Sequence, residues 1–167
     1  MSFRLPKDGE VYVPSKLSRM TRGEKLIVRE FDIYYAGAML GLCARERTSE
    51  EAYLAATGRE LTRSYPRERE EQRDTIAGML IEAELARQDI EPGNAAVILG
   101  IVGDCLSYGS STRLTQFGHQ LLDRYAAGGF RLLRERYPSP FTYEEDFLSG
   151  YLALLNEVCG DDRSDAA

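Results

Sequence analysis

His119 is the only histidine in the 167 residues, and that removes most acid–base and metal chemistry at once. It follows Gly118 between Phe117 and Leu121, so the expected placement is on a helix, facing partly outward as a surface or partner-facing imidazole. A Cys–His pair would need a thiol beside it. Cys105, the nearest in sequence, lies in an apolar run that predicts an inert buried thiol. One trio, Asp104, Ser110 and His119, has the residue types of an activated nucleophile, and it does chemistry only if the fold brings the three together. The acidic groups Glu50 with Glu51 and Glu144 with Glu145 and Asp146 stand at helix starts, where the macrodipole favours carboxylates without any active site. No Glu-x-x-His, no zinc-spaced cysteine pair and no Lys-Ser/Thr phosphate loop is present, so neither a metal nor a cofactor is expected, and no catalytic residue.

Basic residues are the next candidates. Net charge is −6, unevenly placed: residues 1 to 73 sum to +2 and residues 74 to 167 to −8. The acidic second part opposes nonspecific nucleic-acid binding over most of the surface. A DNA-binding alternative would use the basic face of Lys16, Arg19, Arg22, Lys25 and Arg29 with Arg63 and Arg67 at the Pro66 turn. The arginines around that turn alternate with Glu60, Glu68, Glu70 and Glu71, which favours ion pairs within the chain. The hydroxyl-rich run Ser107 to Arg113, SYGSSTR, reads as a polar loop.

The elements that must position these groups are helices. Hydrophobic residues make up 43% and charged residues 29%, an ordinary globular balance. Phe31 to Ala44, FDIYYAGAMLGLCA, carries one charge and predicts a helix buried on nearly all sides, too short to cross a bilayer. Gly37 and Gly41 leave a flat groove for a second helix. Asn94 to Tyr108 holds only Asp104, which predicts a second buried helix, packed on the first through Gly100 and Gly103. Such flat surfaces leave homo-oligomerisation open.

Around these two, Val11 to Val13 is β-prone, Ser15 can cap a short helix to Met20, and Lys25 to Arg29 either pairs with Val11 to Val13 or leads into the central helix. Thr48 with Glu51 reads as a capping box for a helix to about Arg63. Pro66 opens another through Gln88, and Thr112 can cap a helix from Arg113 to Tyr125. Ala126 to Gly129 then kinks or caps it before Phe130 to Tyr137, and Thr142 with Glu145 starts a last helix burying Phe147, Leu148, Tyr151, Leu154, Leu155 and Val158. The mixed charges of MSFRLPKDGEVYVP do not read as a signal peptide, and three widely spaced cysteines suit reduced thiols, so a cytoplasmic location is expected. The expectation is a mainly α, single compact domain over 1–160 of about six helices, with at most one small N-terminal β-hairpin, and a disordered acidic tail over 161–167.

Val11 to Leu17 (VYVPSKL) with Asp32 to Arg47 (DIYYAGAMLGLCARER), and Leu122 to Arg134 (LDRYAAGGFRLLR), together about a quarter of the chain, resemble a small helical family encoded beside DNA phosphorothioation (Dnd) modification and restriction genes, DNA phosphorothioation-associated protein 4. Ala127 departs from the family's Tyr-Ala-Asn-Gly-Gly, removing any polar role of that side chain. The resemblance implies a non-catalytic accessory subunit of a phage-defence system. It would act through protein–protein contacts with DNA-modification or restriction subunits, Tyr125, Gly128, Gly129 and Phe130 forming the expected partner surface.

Overall fold

The computed structural model describes residues 2–12, 30–56, 58–139, 141 and 143–160. Over these it is mainly helical with one small antiparallel sheet, in the order β1 (Phe3–Leu5), α1 (Lys7–Tyr12), α2 (Glu30–Cys43), α3 (Glu50–Ala55), β2 (Arg59–Thr62), a 3₁₀ turn (Arg67–Gln72), α4 (Arg73–Arg87), α5 (Ala95–Cys105), α6 (Gln116–Arg136) and α7 (Glu144–Gly160). The expected helices at Ser15 and the segment Lys25 to Arg29, like Thr142 and the tail, lie outside the described residues.

Helix α2 is the centre, as its composition predicts. Phe31, Ile33, Tyr34, Ala38, Leu40 and Leu42 are all buried, pointing in every direction around the axis. Its glycines meet α6 and not α5, and α2 with α6 make the largest contact between any two elements. The approach is backbone on backbone. A Cβ at Gly41 would stand 2.0 Å from the Tyr125 carbonyl oxygen, one at Gly129 2.0 Å from that of Gly37, and one at Gly128 2.1 Å from that of Glu46. Helix α6 therefore runs unbroken through Ala126 to Gly129, where sequence suggests a kink or cap. Its glycines cost helix propensity but let two helix backbones touch, and Phe130 fills the space over Gly37.

Several boundaries move for identifiable reasons. Ser49, not Thr48, caps α3, its hydroxyl accepting from the Ala52 amide at 3.1 Å. The helix stops at Ala55 because Gly58 passes against β1, where a Cβ would lie 1.6 Å from the Leu5 carbonyl oxygen. The chain then pairs as β2 with β1, Arg4 opposite Glu60 and Leu5 opposite Arg59. The strand partner in the first segment is thus Phe3 to Leu5, while Val11 lies in α1. Thr115 caps α6 in place of Thr112. Helices α2 and α4 end in left-handed residues, Arg45 (φ 54°) and Asp89 (φ 54°); the next amides, of Glu46 and Ile90, reach back to the carbonyls of Gly41 and Leu85.

Helix α5 departs most from expectation. Of its eleven residues only Cys105 is buried. Leu99 is 69% exposed, and a Cβ at Gly100 or Gly103 would meet nothing. The last helix buries Phe147 and Leu154 as expected, with Tyr137, Phe141 and Tyr151 packed around them, but Leu148 stands exposed.

These contacts set opposite outcomes for glycine substitutions. Gly41→Ala or Gly129→Ala forces helix backbones apart and should cost more than about 2 kcal/mol in urea unfolding. Gly100→Ala, on an open helical face, should instead gain about 0.5–1 kcal/mol.

Candidate functional site

The strand β1, α2, α3 and α6 meet on one buried carboxylate. Asp123, 1% exposed, accepts hydrogen bonds from the Tyr34 hydroxyl at 2.8 Å, the Tyr53 hydroxyl at 3.0 Å and the Arg4 backbone amide at 3.2 Å. Burial pushes its carboxyl up to about 7, and the three donors hold it from rising further. One turn earlier on α6 stands His119, only 3% exposed and so not the outward-facing imidazole that sequence predicts. Its ring packs on Phe3 at 4.7 Å, and its Nε2 lies 2.9 Å from the Thr112 hydroxyl, itself 2.9 Å from Ser110 Oγ. Among the described residues Nδ1 has no hydrogen-bond partner, and desolvation lowers the ring to about 4. Beside these groups opens a cleft of about 430 Å³ lined by Arg4, Tyr53, Gln116, Gln120 and Asp123.

The trio weighed as a nucleophile assembles only in part. Ser110 reaches His119 through Thr112, whereas Asp104 sits on the exposed side of α5, its backbone carbonyl accepting from Thr115. The ring nitrogen that a catalytic acid would orient is the bare one, and the neighbouring Asp123 is committed to its three donors. Cys105 is buried, its thiol pushed up to about 11 by desolvation. Among the described residues no group of three His, Cys, Asp or Glu side chains is placed to hold a metal ion.

The expected partner surface does not exist as a surface. Tyr125, Gly128, Gly129 and Phe130 are all buried at the contact with α2, and Tyr125 turns its hydroxyl inward to Glu84 at 2.6 Å. Their apolar and small character serves helix packing. Lys16, Arg19, Arg22, Lys25 and Arg29 lie outside the described residues. Arg63 and Arg67 are exposed, and Arg63 faces Glu60 at 3.5 Å. Arg73 likewise pairs with Glu70, as the alternating charges predict, whereas Arg59 and Arg69 pair within the chain with Glu30 and Asp32 of α2, outside that alternation.

The exposed apolar face lies on α5 and the loop after it. Val97 and Leu99 stand out from the helix, and Tyr108 is 91% exposed with the Arg113 guanidinium over its ring at 4.9 Å. Arg113, itself left-handed (φ 64°), also binds Asp74 at 3.0 Å and the Tyr108 carbonyl at 2.8 Å. Between α4 and α5 runs a groove of about 580 Å³, floored by Ala77, Gly78, Val102, Gly103 and Leu106. Among the described residues no helix is long and apolar enough to cross a membrane. Comparison with protein-family models, with curated proteins and with solved structures finds no match for this chain.

The two buried titrating groups pull stability in opposite directions. Asp123 titrates higher folded than unfolded, so its contribution is full below the ordinary aspartate range and is lost as pH rises through about 7. His119 titrates lower folded than unfolded, so its contribution is full above about 6.5 and is lost as pH falls toward about 4. Asp123→Asn should therefore leave a stability that climbs from pH 4 to 6.5, and His119→Gln one that declines toward pH 7, read from denaturant midpoints at each pH.

Proposed function

We propose that this chain is a non-catalytic accessory subunit that holds a partner protein against the exposed face of α5. The observation that carries the reading is a helix with a single charge, Asp104, left outside the core, with its own Leu99 and the following Tyr108 exposed. An apolar face of this kind, with charged residues at its edge, is characteristic of a surface that meets another protein. The edge is acidic, since Asp89, Glu91 and Asp104 are exposed around the helix and residues 74 to 167 sum to −8. The occupant is accordingly a helix of another protein with an apolar stripe and basic flanks, seated in the small-residue groove between α4 and α5. The resemblance to DNA phosphorothioation-associated protein 4 supports drawing that partner from DNA-modification or restriction subunits in a phage-defence setting. The incomplete Asp104, Ser110 and His119 trio supports a non-catalytic role.

Leu99→Glu tests this directly, because the side chain is exposed and the fold does not depend on it. With the variant's melting temperature unchanged, capture of the partner in nuclease-treated native extract should fall by at least about tenfold, the loss expected when a charge replaces an exposed apolar contact of the docking face. Capture equal to wild type, or a face that pairs only with a second copy in size-exclusion chromatography, would reject the reading.

A further inference from the structure

Away from α5, two guanidinium groups pair with one buried carboxylate and a third is fixed close by. Glu84 of α4, 3% exposed, accepts from the Tyr125 hydroxyl, from Arg87 through two nitrogens at 3.3 Å and from Gln88 at 3.2 Å, and pairs with Arg47 Nε at 3.3 Å. Both of its oxygens are taken. Burial alone would raise its carboxyl, but the Arg87 and Tyr125 bonds and the charges of Arg47 and Arg87 leave it below the ordinary value. A third guanidinium, that of Arg124 on α6, is fixed by its Nε donating to the Thr48 carbonyl at 2.9 Å, beside Arg47 in sequence. Arg124 is held below its ordinary value by burial and then by the charge of Arg47, against the opposing pull of Glu50 and Glu84, with Arg87 adding to the repulsion.

The charges at this cluster do not balance. Arg47 and Arg87 share the one buried carboxylate of Glu84, Arg124 is tied to the Thr48 carbonyl next to Arg47, and the exposed Glu50 lines the same depression as Arg124. Among the described residues the terminal nitrogens of Arg47 and of Arg124 have no hydrogen-bond partner, while each side chain is already anchored through its Nε. Partly buried guanidinium forks, pinned and crowded by like charge, are stabilised by an anion that accepts from several N–H groups together. We propose that Arg47 and Arg124, with Arg87 behind them, bind a phosphate-type oxyanion. The ligand chemistry is a tetrahedral anion with several acceptor oxygens, whether free phosphate or one phosphodiester of a nucleic acid strand. The site is independent of the α5 face and of whether a partner docks there.

The test follows the side-chain Nε–H resonances of Arg47 and Arg124 in the wild-type chain during titration with sodium phosphate. Sodium chloride at matched ionic strength is the reference, and a short single-stranded oligodeoxynucleotide is the second arm. Saturable shifts of both resonances with phosphate are expected, and Arg47→Gln or Arg124→Gln should each weaken binding about tenfold, as loss of a charge-assisted contact would. Saturation by the oligonucleotide but not by phosphate would assign the same site to a phosphodiester. The wild-type titration does not depend on how well either variant folds. Shifts no larger than those in chloride for both probes, or affinities unchanged in folded variants, would overturn the proposal.

Discussion

Contact between the backbones of α2 and α6 is the constraint from which the rest of the structure follows. Gly41 and Gly129 each occupy a position where any side chain would collide with a carbonyl of the opposite helix. At such separation the remaining side chains must project sideways from the paired helices, and each flank acquires its own layer. On one flank Phe3 packs against Phe31, Tyr34, Tyr65 and the His119 ring; on another Phe147 and Leu154 of α7 close over the helices. The polar ties sit two residues apart on α6. Asp123 draws in β1, α2 and α3, while Tyr125 draws in α4 through Glu84. Close packing supplies the hydrophobic core, and the buried polar contacts give the smaller elements a unique place on it.

The main features of the fold were legible in the sequence because they rest on local signals. One charge in Phe31 to Ala44 marks a buried helix, two glycines a turn apart mark a groove, and Glu91-Pro92-Gly93 marks a break. What was not legible depends on partners far away in the chain. Ala126 to Gly129 reads locally as a helix stop, and only the presence of α2 makes glycine the residue that lets α6 pass. The run Asn94 to Tyr108 has the composition of a core helix, yet the space beside α2 is already filled by α6, so α5 is left on the outside. Composition ranks how much a segment gains from burial and does not say which segment reaches the centre.

The functional groups divide in the same way. The pairs Arg63 with Glu60 and Arg73 with Glu70 follow from alternating charge and could be read in advance. Those of Arg59 and Arg69 with Glu30 and Asp32 needed the fold to bring α2 alongside. The partner surface expected at Tyr125, Gly128, Gly129 and Phe130 failed because small and aromatic residues serve a helix–helix contact as well as a docking face. Asp123 and Glu84 were overlooked although each interrupts an apolar stripe, Leu121, Leu122 and Tyr125 for one and Leu80 and Ala83 for the other. A lone acid in such a stripe is a sequence sign of a buried polar tie.

The sheet carries a consequence for how the chain is made. Strand β1 is synthesised well before the groups that hold it: its pairing strand β2 begins at Arg59, and the carboxylate accepting from its Arg4 amide, that of Asp123, is 119 residues beyond Arg4. Asp8 likewise waits for Arg134, 126 residues later. A nascent chain that has not yet delivered α6 therefore carries Phe3 and Leu5 without their final cover. Long loop closures of this kind slow folding and leave apolar segments open to chaperones while synthesis continues.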